Sequence, residues 1–320
     1  MTLNLDLIHE AAAFLKGCSL RRTPLEHSPT LSDLMGVPVY LKLENLQITG
    51  SFKVRGALFR LHRLTPAEKA RGVISCSAGN HGKAVAYAAG KSGVSVDIYV
   101  PKVVDESKYR GMIQLGARVI KSDFESYDRT EALARAEARR RGRTFISPYD
   151  DEAIMAANGG SLMAEIIEDL PDLKTVLTPV GGGGLAAGLC YFLSEKQSEV
   201  ETIGCQLAAS PALHLSLERG RAVTTLPYVE TAAGGLEGGI GSLTFPIIRR
   251  RIGRVVLLSE DAVVRGVRWM LDRHQYLIEP SAAVVIAALT EQRLQVRPGP
   301  MVLILTGRNL SLAGLTDLLS

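Results

Sequence analysis

The stretch GVISCSAGNHGKAVAYAAGKSGVSVDIYVP, residues 72–101, holds the pattern that decides the fold. An apolar run over 72–79 ends in a glycine turn, a helical pattern follows over 80–93, and 94–101 is again rich in β-branched residues. Strands that alternate with helices in this way indicate an α/β fold with parallel sheets. The turn also places a helix N-terminus at the carboxyl end of a strand, where open α/β sheets bind ligands.

The same alternation covers most of the chain. Further strands are predicted at 117–122, 144–149, 174–180, 200–208, 254–259 and 301–307, and helices at 107–116, 127–142 and 151–170. Because the strands are continuously apolar, both faces of each sheet should be covered by helices. A chain of 320 residues exceeds what one core usually supports, so two domains are expected.

Composition and charge favour an ordinary globular enzyme, with 46% hydrophobic and 22% charged residues and a net charge of +4. The basic runs at 139–143 and 249–254 have no interleaved aromatic residues, so we expect no nucleic-acid partner. No secretory segment and no apolar run of 18 residues is visible, so we expect no membrane partner and a cytoplasmic location. The four cysteines lack metal-binding spacing and are predicted to be reduced, mostly buried thiols.

The stretch VGGGGLAAG at 180–188 is the strongest local signal. Four glycines follow a buried strand and lead directly into a helix, so that backbone N–H groups can surround a phosphate. The loop is neither GxGxxG nor a Walker loop, which favours a phosphomonoester over a nucleotide. The competing interpretation is a tight turn, although two glycines would suffice for that.

Lys53 opens a predicted amphipathic helix in GSFKVRGALFRLH, residues 50–62. Ser51 is expected to cap this helix, and Arg55 is expected on its polar face. A cation is unfavourable in the first turn of a helix. Lys53 is therefore either a chance surface lysine or an amine that is not kept as a cation.

Two further strand ends carry polar side chains. Ser77 and Asn80 could hold an anion such as a carboxylate, or they could simply cap a helix, while His81 is more often a packing residue than a base. Thr306 places a hydroxyl after the strand at 301–307. Pyridoxal phosphate needs a lysine, a phosphate site and a partner for its ring nitrogen, so one cofactor uses all of these features.

The whole set of motifs resembles the tryptophan-synthase-β-like group of pyridoxal-phosphate enzymes (fold type II). Within that group it resembles the branch of threonine/serine dehydratases and serine racemases. The motifs that carry the resemblance occur in the family's order along nearly the whole chain. They are RRTPL (21–25), VYLKLENLQITGSFKVRGA (39–57), SAGNHG (77–82), PVGGGGLAAG (179–188), IEPSAAV (278–284) and LTGRN (305–309).

The resemblance implies roles for individual residues. Lys53 would be the catalytic Schiff-base lysine, and Asn80 would contact the cofactor ring hydroxyl and Thr306 the pyridine nitrogen. The remaining cofactor contacts implied are Phe52, Gly181, Gly182, Gly183, Gly184 and Leu185. The loop implied for the substrate carboxylate consists of Ser77, Ala78, Gly79, Asn80 and His81. Relatives that bind a divalent cation use acidic ligands where this chain has Gln206, so no metal site is predicted.

The function implied is elimination of water from a β-hydroxy amino acid such as threonine or serine, giving a 2-oxo acid and ammonia. Ala78 weighs against a serine or aspartate racemase, because alanine cannot donate a proton on the face opposite Lys53. Less common substrates remain open, namely phenylserine, 3-hydroxyaspartate and the amino acids of hydroxyectoine breakdown. A non-catalytic binding protein is the third alternative, and Lys53 with the complete phosphate loop counts against it.

The resemblance also implies an architecture. We expect a large cofactor-binding domain formed by residues 1–46 and 153–320, and a small substrate-side domain formed by 47–152. A homodimer or homotetramer is expected. Because the chain stops soon after LTGRNLS, we expect no regulatory domain and no feedback by isoleucine.

Overall fold

The computed structural model describes residues 3–18, 20–291 and 294–320. Its strands, in chain order, are β1 (Leu25–His27), β2 (Val39–Lys42), β3 (Val73–Cys76), β4 (Val96–Val100), β5 (Arg118–Lys121), β6 (Thr144–Ile146), β7 (Thr175–Pro179), β8 (Glu201–Leu207), β9 (Arg254–Leu258) and β10 (Met301–Ile304). Its α-helices are α1 (Leu5–Lys16), α2 (Pro29–Met35), α3 (Lys53–His62), α4 (Pro66–Arg71), α5 (Asn80–Ser92), α6 (Glu106–Gln114), α7 (Tyr127–Arg141), α8 (Glu152–Met155), α9 (Ser161–Asp169), α10 (Gly184–Glu195), α11 (Ala212–Arg219), α12 (Thr244–Ile248), α13 (Glu260–His274), α14 (Pro280–Thr290) and α15 (Leu312–Leu319). A 3₁₀ turn covers Glu44–Leu46, and a π-helical turn covers Ala156–Gly160.

The described strands form two sheets. The larger has the order β1-β2-β10-β7-β8-β9, and the smaller has the order β5-β4-β3-β6. Every pairing is parallel except that of β1 with β2. The predicted α/β class with mostly parallel sheets flanked by helices is confirmed.

Burial follows the position of each strand in its sheet. All residues of β3, β4, β7 and β10 are buried, because helices cover both faces. The strand β5 lies at an edge, and its four residues are exposed or half-buried. The residues that follow β3, β7 and β10 therefore lie at strand carboxyl ends inside the protein, where ligands of α/β proteins bind.

The helix predicted over 151–170 is interrupted by the π-helical turn. The turn packs so closely on α10 that a Cβ on Gly159 would lie 2.1 Å from the carbonyl oxygen of Leu185. The side-chain oxygen of Asn158 accepts a hydrogen bond of 2.8 Å from the backbone N–H of Gly56 in α3. The wide turn thus ties the helix that begins at Lys53 to the helix that begins at Gly184.

Two expectations about α3 were wrong. Ser51 does not cap the helix, because it lies in a β-bridge with Gly307, and Asn158 satisfies an N–H of the first turn instead. Arg55 is not on a solvated face. Its fully buried guanidinium makes paired hydrogen bonds of 2.6–2.9 Å to the carboxylates of Glu44 and Glu165.

The four cysteines are free, and all but the half-buried Cys18 are buried, which confirms the expectation of mostly buried thiols. Among the described residues, no helix has both the length and the apolar character needed to span a membrane.

Candidate active site

A cavity of about 330 Å³ opens where the carboxyl ends of β3, β7 and β10 meet. It contains every residue that the sequence assigned to the site. These are Phe52, Lys53, Ser77, Ala78, Gly79, Asn80, His81, Gly181, Gly182, Gly183, Gly184, Leu185 and Thr306.

Lys53 is the first residue of α3, and its side chain points into this cavity. Its Nζ donates a hydrogen bond of 2.8 Å to the carbonyl oxygen of Pro148 and lies 5.2 Å from the centre of the Phe52 ring. Desolvation lowers the pKa of the Lys53 amine to about 8, although the carboxylate of Glu279 acts in the opposite direction. A neutral amine is therefore accessible near neutral pH, as a nucleophilic lysine requires.

The glycine-rich loop forms the N-terminus of α10. Gly183 has φ +91°, a conformation that favours glycine, and no side chain caps the helix. The N–H groups of Gly183, Gly184 and Leu185 have no hydrogen-bond acceptor in the described part of the chain. These free donors at a helix N-terminus fit a phosphate group.

Close packing also requires glycine at two positions of the loop. A Cβ on Gly182 would lie 2.3 Å from the ring of Tyr149, and one on Gly181 would lie 2.5 Å from the carbonyl oxygen of Gly235. Thr244 fixes the loop from the other side, since its Oγ1 donates to the carbonyl oxygen of Gly182 at 2.8 Å. The loop is consequently held in place before any ligand binds.

A second helix N-terminus faces the cavity at Asn80. Gly79 precedes α5 without a side-chain cap, and its N–H is bonded to the hydroxyl of Ser77 at 3.2 Å. The imidazole of His81 is buried, with Nε2 3.3 Å from the carbonyl oxygen of Ile146. Burial and the neighbouring charge of Lys53 lower the pKa of His81 to about 3, so its ring is neutral and is no cation for an anionic substrate.

Thr306 follows β10 and is buried. Its carbonyl oxygen accepts a hydrogen bond of 3.1 Å from the N–H of Phe52, which joins the end of β10 to the start of α3. The hydroxyl of Thr306 is a neutral group, in contrast to a carboxylate, and lines the cavity together with Lys53.

Sequence reasoning missed several cavity residues, of which Glu279 is the most important. Its side chain is buried, and its Oε1 accepts a hydrogen bond of 2.5 Å from Nδ2 of Asn80. Burial raises the pKa of Glu279 to about 7 against the opposing effects of Lys108 and this hydrogen bond. The motif IEPSAAV contains this residue, but a glutamate before proline also reads as an ordinary helix start.

In the sequence, Gln206 stands out only because it lacks the carboxylate that metal-binding relatives use near this position. Its buried side chain donates to the carbonyl oxygen of Val180 at 3.1 Å and accepts from the N–H of His214 at 3.1 Å. An amide therefore bridges the entry to the glycine loop and α11.

Together the fold and the site define a class of enzyme that holds a phosphorylated cofactor beside a reactive lysine. The family model described as pyridoxal-phosphate dependent enzyme matches residues 19–307, and the chain belongs to that family. The expected resemblance and the expected cofactor, pyridoxal phosphate, are confirmed. The free amides of the glycine loop and the depressed pKa of Lys53 fit this cofactor.

Comparison with individual relatives supports the same family assignment. The chain is 37% identical to an L-threonine ammonia-lyase of Geobacter sulfurreducens over 307 residues, which are 95% of this chain and 75% of that protein. It is 32% identical to the catabolic L-threonine dehydratase of Escherichia coli K12, over 98% of this chain and 95% of that protein. The solved serine racemase of Dictyostelium discoideum is similar with a TM-score of 0.88 and 30% identity, over 98% of this chain and all of that chain.

Proposed function

We propose that the protein is a pyridoxal-phosphate-dependent ammonia-lyase that acts on a β-hydroxy amino acid, with threonine and serine as the first candidates. The products would be a 2-oxo acid and ammonia. The observation that carries this proposal is the meeting of Lys53, whose amine has a lowered pKa, with the free amides of the glycine loop in one cavity. The two threonine-degrading relatives support the same reaction class.

The bound cofactor would supply an electron sink for the charge that develops on the substrate α-carbon. The N–H groups of Gly183, Gly184 and Leu185 would hold its phosphate, and Lys53 would hold it covalently. When Lys53 is released as a free amine, its low pKa allows it to take the α-proton at Nζ.

The neutral hydroxyl of Thr306 bears on the type of reaction. A carboxylate in this place would favour protonation of the ring nitrogen and a strong electron sink. A hydroxyl does not enforce that protonation. The resulting weaker electron sink favours loss of a β-substituent over transfer of the amino group.

The substrate carboxylate would bind at the N-terminus of α5. The backbone N–H groups of Asn80 and His81 have no acceptor in the described part of the chain, and both residues line the cavity with Ser77 and Lys53. His81 would contribute its backbone, because its imidazole is neutral and turned towards Ile146.

A racemase is the second candidate, favoured by the similarity to the serine racemase structure. Racemisation requires a proton donor on each face of the α-carbon. Ala78 lines the cavity with a methyl group that can donate no proton. Elimination is therefore the reaction that this chain's side chains support better.

Groups of both signs line the cavity. Glu125 and Glu237 supply carboxyl groups, and Lys108 supplies an amine. Desolvation and the neighbouring Asp128 raise the pKa of Glu237, which reduces its negative charge. The substrate panel therefore includes 3-hydroxyaspartate together with threonine, serine, phenylserine and the hydroxyectoine-derived amino acids.

The domain division proposed from the sequence, 1–46 with 153–320 and 47–152, is supported by the sheets, since β3–β6 all lie between residues 73 and 146. A homodimer or homotetramer is proposed as well, to be measured by light scattering. The free, mostly buried thiols fit the proposed cytoplasmic location.

A panel of β-hydroxy amino acids, assayed for 2-oxo acid release, tests the function. The holoenzyme should release 2-oxobutanoate from threonine or pyruvate from serine, and chiral analysis of the remaining serine should find little racemisation. The variant Lys53→Ala should release none, whereas Lys91→Ala, which removes an exposed lysine outside the cavity, should match the wild type. Absence of 2-oxo acid with every substrate, or rapid racemisation of serine, would refute the proposal.

A further inference from the structure

Four side chains, of which Asn80, Asn309 and Glu279 line the cavity, are joined in a chain by hydrogen bonds that all run in one direction. Nζ of Lys83 donates to Oδ1 of Asn309 at 2.8 Å, and Nδ2 of Asn309 donates to Oδ1 of Asn80 at 2.6 Å. Nδ2 of Asn80 then donates to Oε1 of Glu279 at 2.5 Å. The chain therefore runs from an ammonium group to a carboxylate.

Neither side-chain amide can be rotated by 180° without placing two donors or two acceptors against each other. If Asn309 were flipped, its NH₂ group would face the ammonium of Lys83, which has only donors. If Asn80 were flipped, its oxygen would face the ionised carboxylate of Glu279, which accepts only, and its NH₂ group would face Nδ2 of Asn309, which donates only. The second hydrogen of Asn309 Nδ2 is also bound, to the carbonyl oxygen of Thr49 at 2.9 Å.

Two glycines make room for this arrangement. A Cβ on Gly307 would lie 2.4 Å from Oε1 of Glu279, and a Cβ on Gly50 would lie 2.6 Å from Oδ1 of Asn309. The N–H of Glu279 is fixed as well, since it donates to the carbonyl oxygen of Gly307 at 2.9 Å. The backbone at Gly307 and Gly50 thus leaves space for the side chains of Glu279 and Asn309.

We propose that Glu279 is a positioning residue that, with Lys83 at the other end, holds the Asn80 amide so that its remaining N–H is offered to the cavity. This inference rests on the proposed function and on the role that the family resemblance implies for Asn80, contact with the ring hydroxyl of the cofactor. A fixed donor there binds an anionic oxygen, and a freely flipping amide would present its own oxygen for part of the time. Glu279 itself need not touch the substrate.

The test measures binding of pyridoxal 5′-phosphate to the apo-protein, by the dissociation constant and by the absorption maximum of the bound cofactor. At pH 8, above the pKa of about 7 of Glu279, Glu279→Gln keeps the shape of the side chain but replaces a group that only accepts by one that can also donate. The substitution therefore removes the constraint on the Asn80 amide at that end. We expect about tenfold weaker binding and a shifted absorption maximum, as for the loss of one charge-assisted hydrogen bond. Lys83→Met frees Asn309 and should shift both quantities in the same direction.

Lys91→Met is the matched control. Lys91 lies on α5, as Lys83 does, but its side chain is exposed and does not line the cavity. Its replacement should leave the affinity and the absorption maximum unchanged. If Glu279→Gln does not fold, Asn309→Asp is the second test variant. This substitution replaces the donor that faces Oδ1 of Asn80 by an acceptor.

Unchanged affinity and spectrum in both Glu279→Gln and Lys83→Met would overturn the inference, as would equal shifts in Lys83→Met and Lys91→Met. Failure of the wild type to bind the cofactor would instead refute the proposed function. The two failures are therefore distinguishable.

Discussion

The depressed pKa of Lys53 predicts how fast the apo-protein captures its cofactor at different pH values. Only a neutral amine attacks an aldehyde. At pH 7 an amine with a pKa of about 8 is roughly 10% neutral, whereas one with the ordinary pKa of 10.5 is only about 0.03% neutral. Burial in the cavity should therefore raise the reactive fraction of Lys53 about 300-fold at pH 7.

Stopped-flow absorbance can follow the formation of the bound cofactor between pH 6 and pH 10.5. A small amine with an ordinary pKa, run in parallel, corrects for titration of the cofactor itself. The corrected rate should rise about tenfold per pH unit and level off near pH 8. In Glu279→Gln the plateau should begin at lower pH, because the carboxylate of Glu279 raises the pKa of Lys53.

A corrected rate that keeps rising to pH 10 would refute this reasoning. It would mean that the amine is solvated and that the Pro148 carbonyl and the Phe52 ring do not exclude water from it. A plateau that stays in place in Glu279→Gln would refute the assigned influence of that carboxylate alone.

Three further substitutions have defined outcomes. Ala78→Ser should add measurable racemisation of serine, seen by chiral chromatography, while elimination falls or stays level, because the hydroxyl supplies the missing donor. Gly183→Asp should abolish cofactor binding in an equilibrium titration, since a carboxylate about 4 Å from a phosphate charge costs about 4 kcal/mol at an effective dielectric of 20, and the φ of +91° adds strain. Arg55→Met should lower the free energy of unfolding by roughly 3–5 kcal/mol in urea, because it leaves the buried carboxylate of Glu44 without its cationic partner, whereas the half-buried Glu165 keeps Lys42.

Local patterns predicted the fold well because its determinants lie close together in sequence. The buried strand, glycine turn and helix over 72–101 correspond to β3, α5 and β4. Likewise, the apolar run before Gly181 and the helical pattern after it identify the loop that lines the cavity. A strand end and a helix start can be recognised within ten residues, and parallel sheets bring such ends to one edge.

Long-range contacts could not be predicted in the same way. Arg55 resembles a surface residue, since a charged side chain is rarely buried without a partner, and one of its two partners, Glu165, is 110 residues away. Asn158 replaces the expected Ser51 cap from a distance of 102 residues. Glu279 was missed for the same reason, because its contact with Asn80 spans 199 residues.

The most direct measurement of the central claim is the site of covalent cofactor attachment. The holoenzyme is reduced with borohydride, digested, and mapped by mass spectrometry. The structure predicts one reduced cofactor per chain, attached to Nζ of Lys53, with the visible absorption band lost on reduction. Attachment to Lys83 or Lys108, which lie near the same cavity, or no attachment at all, would contradict the account.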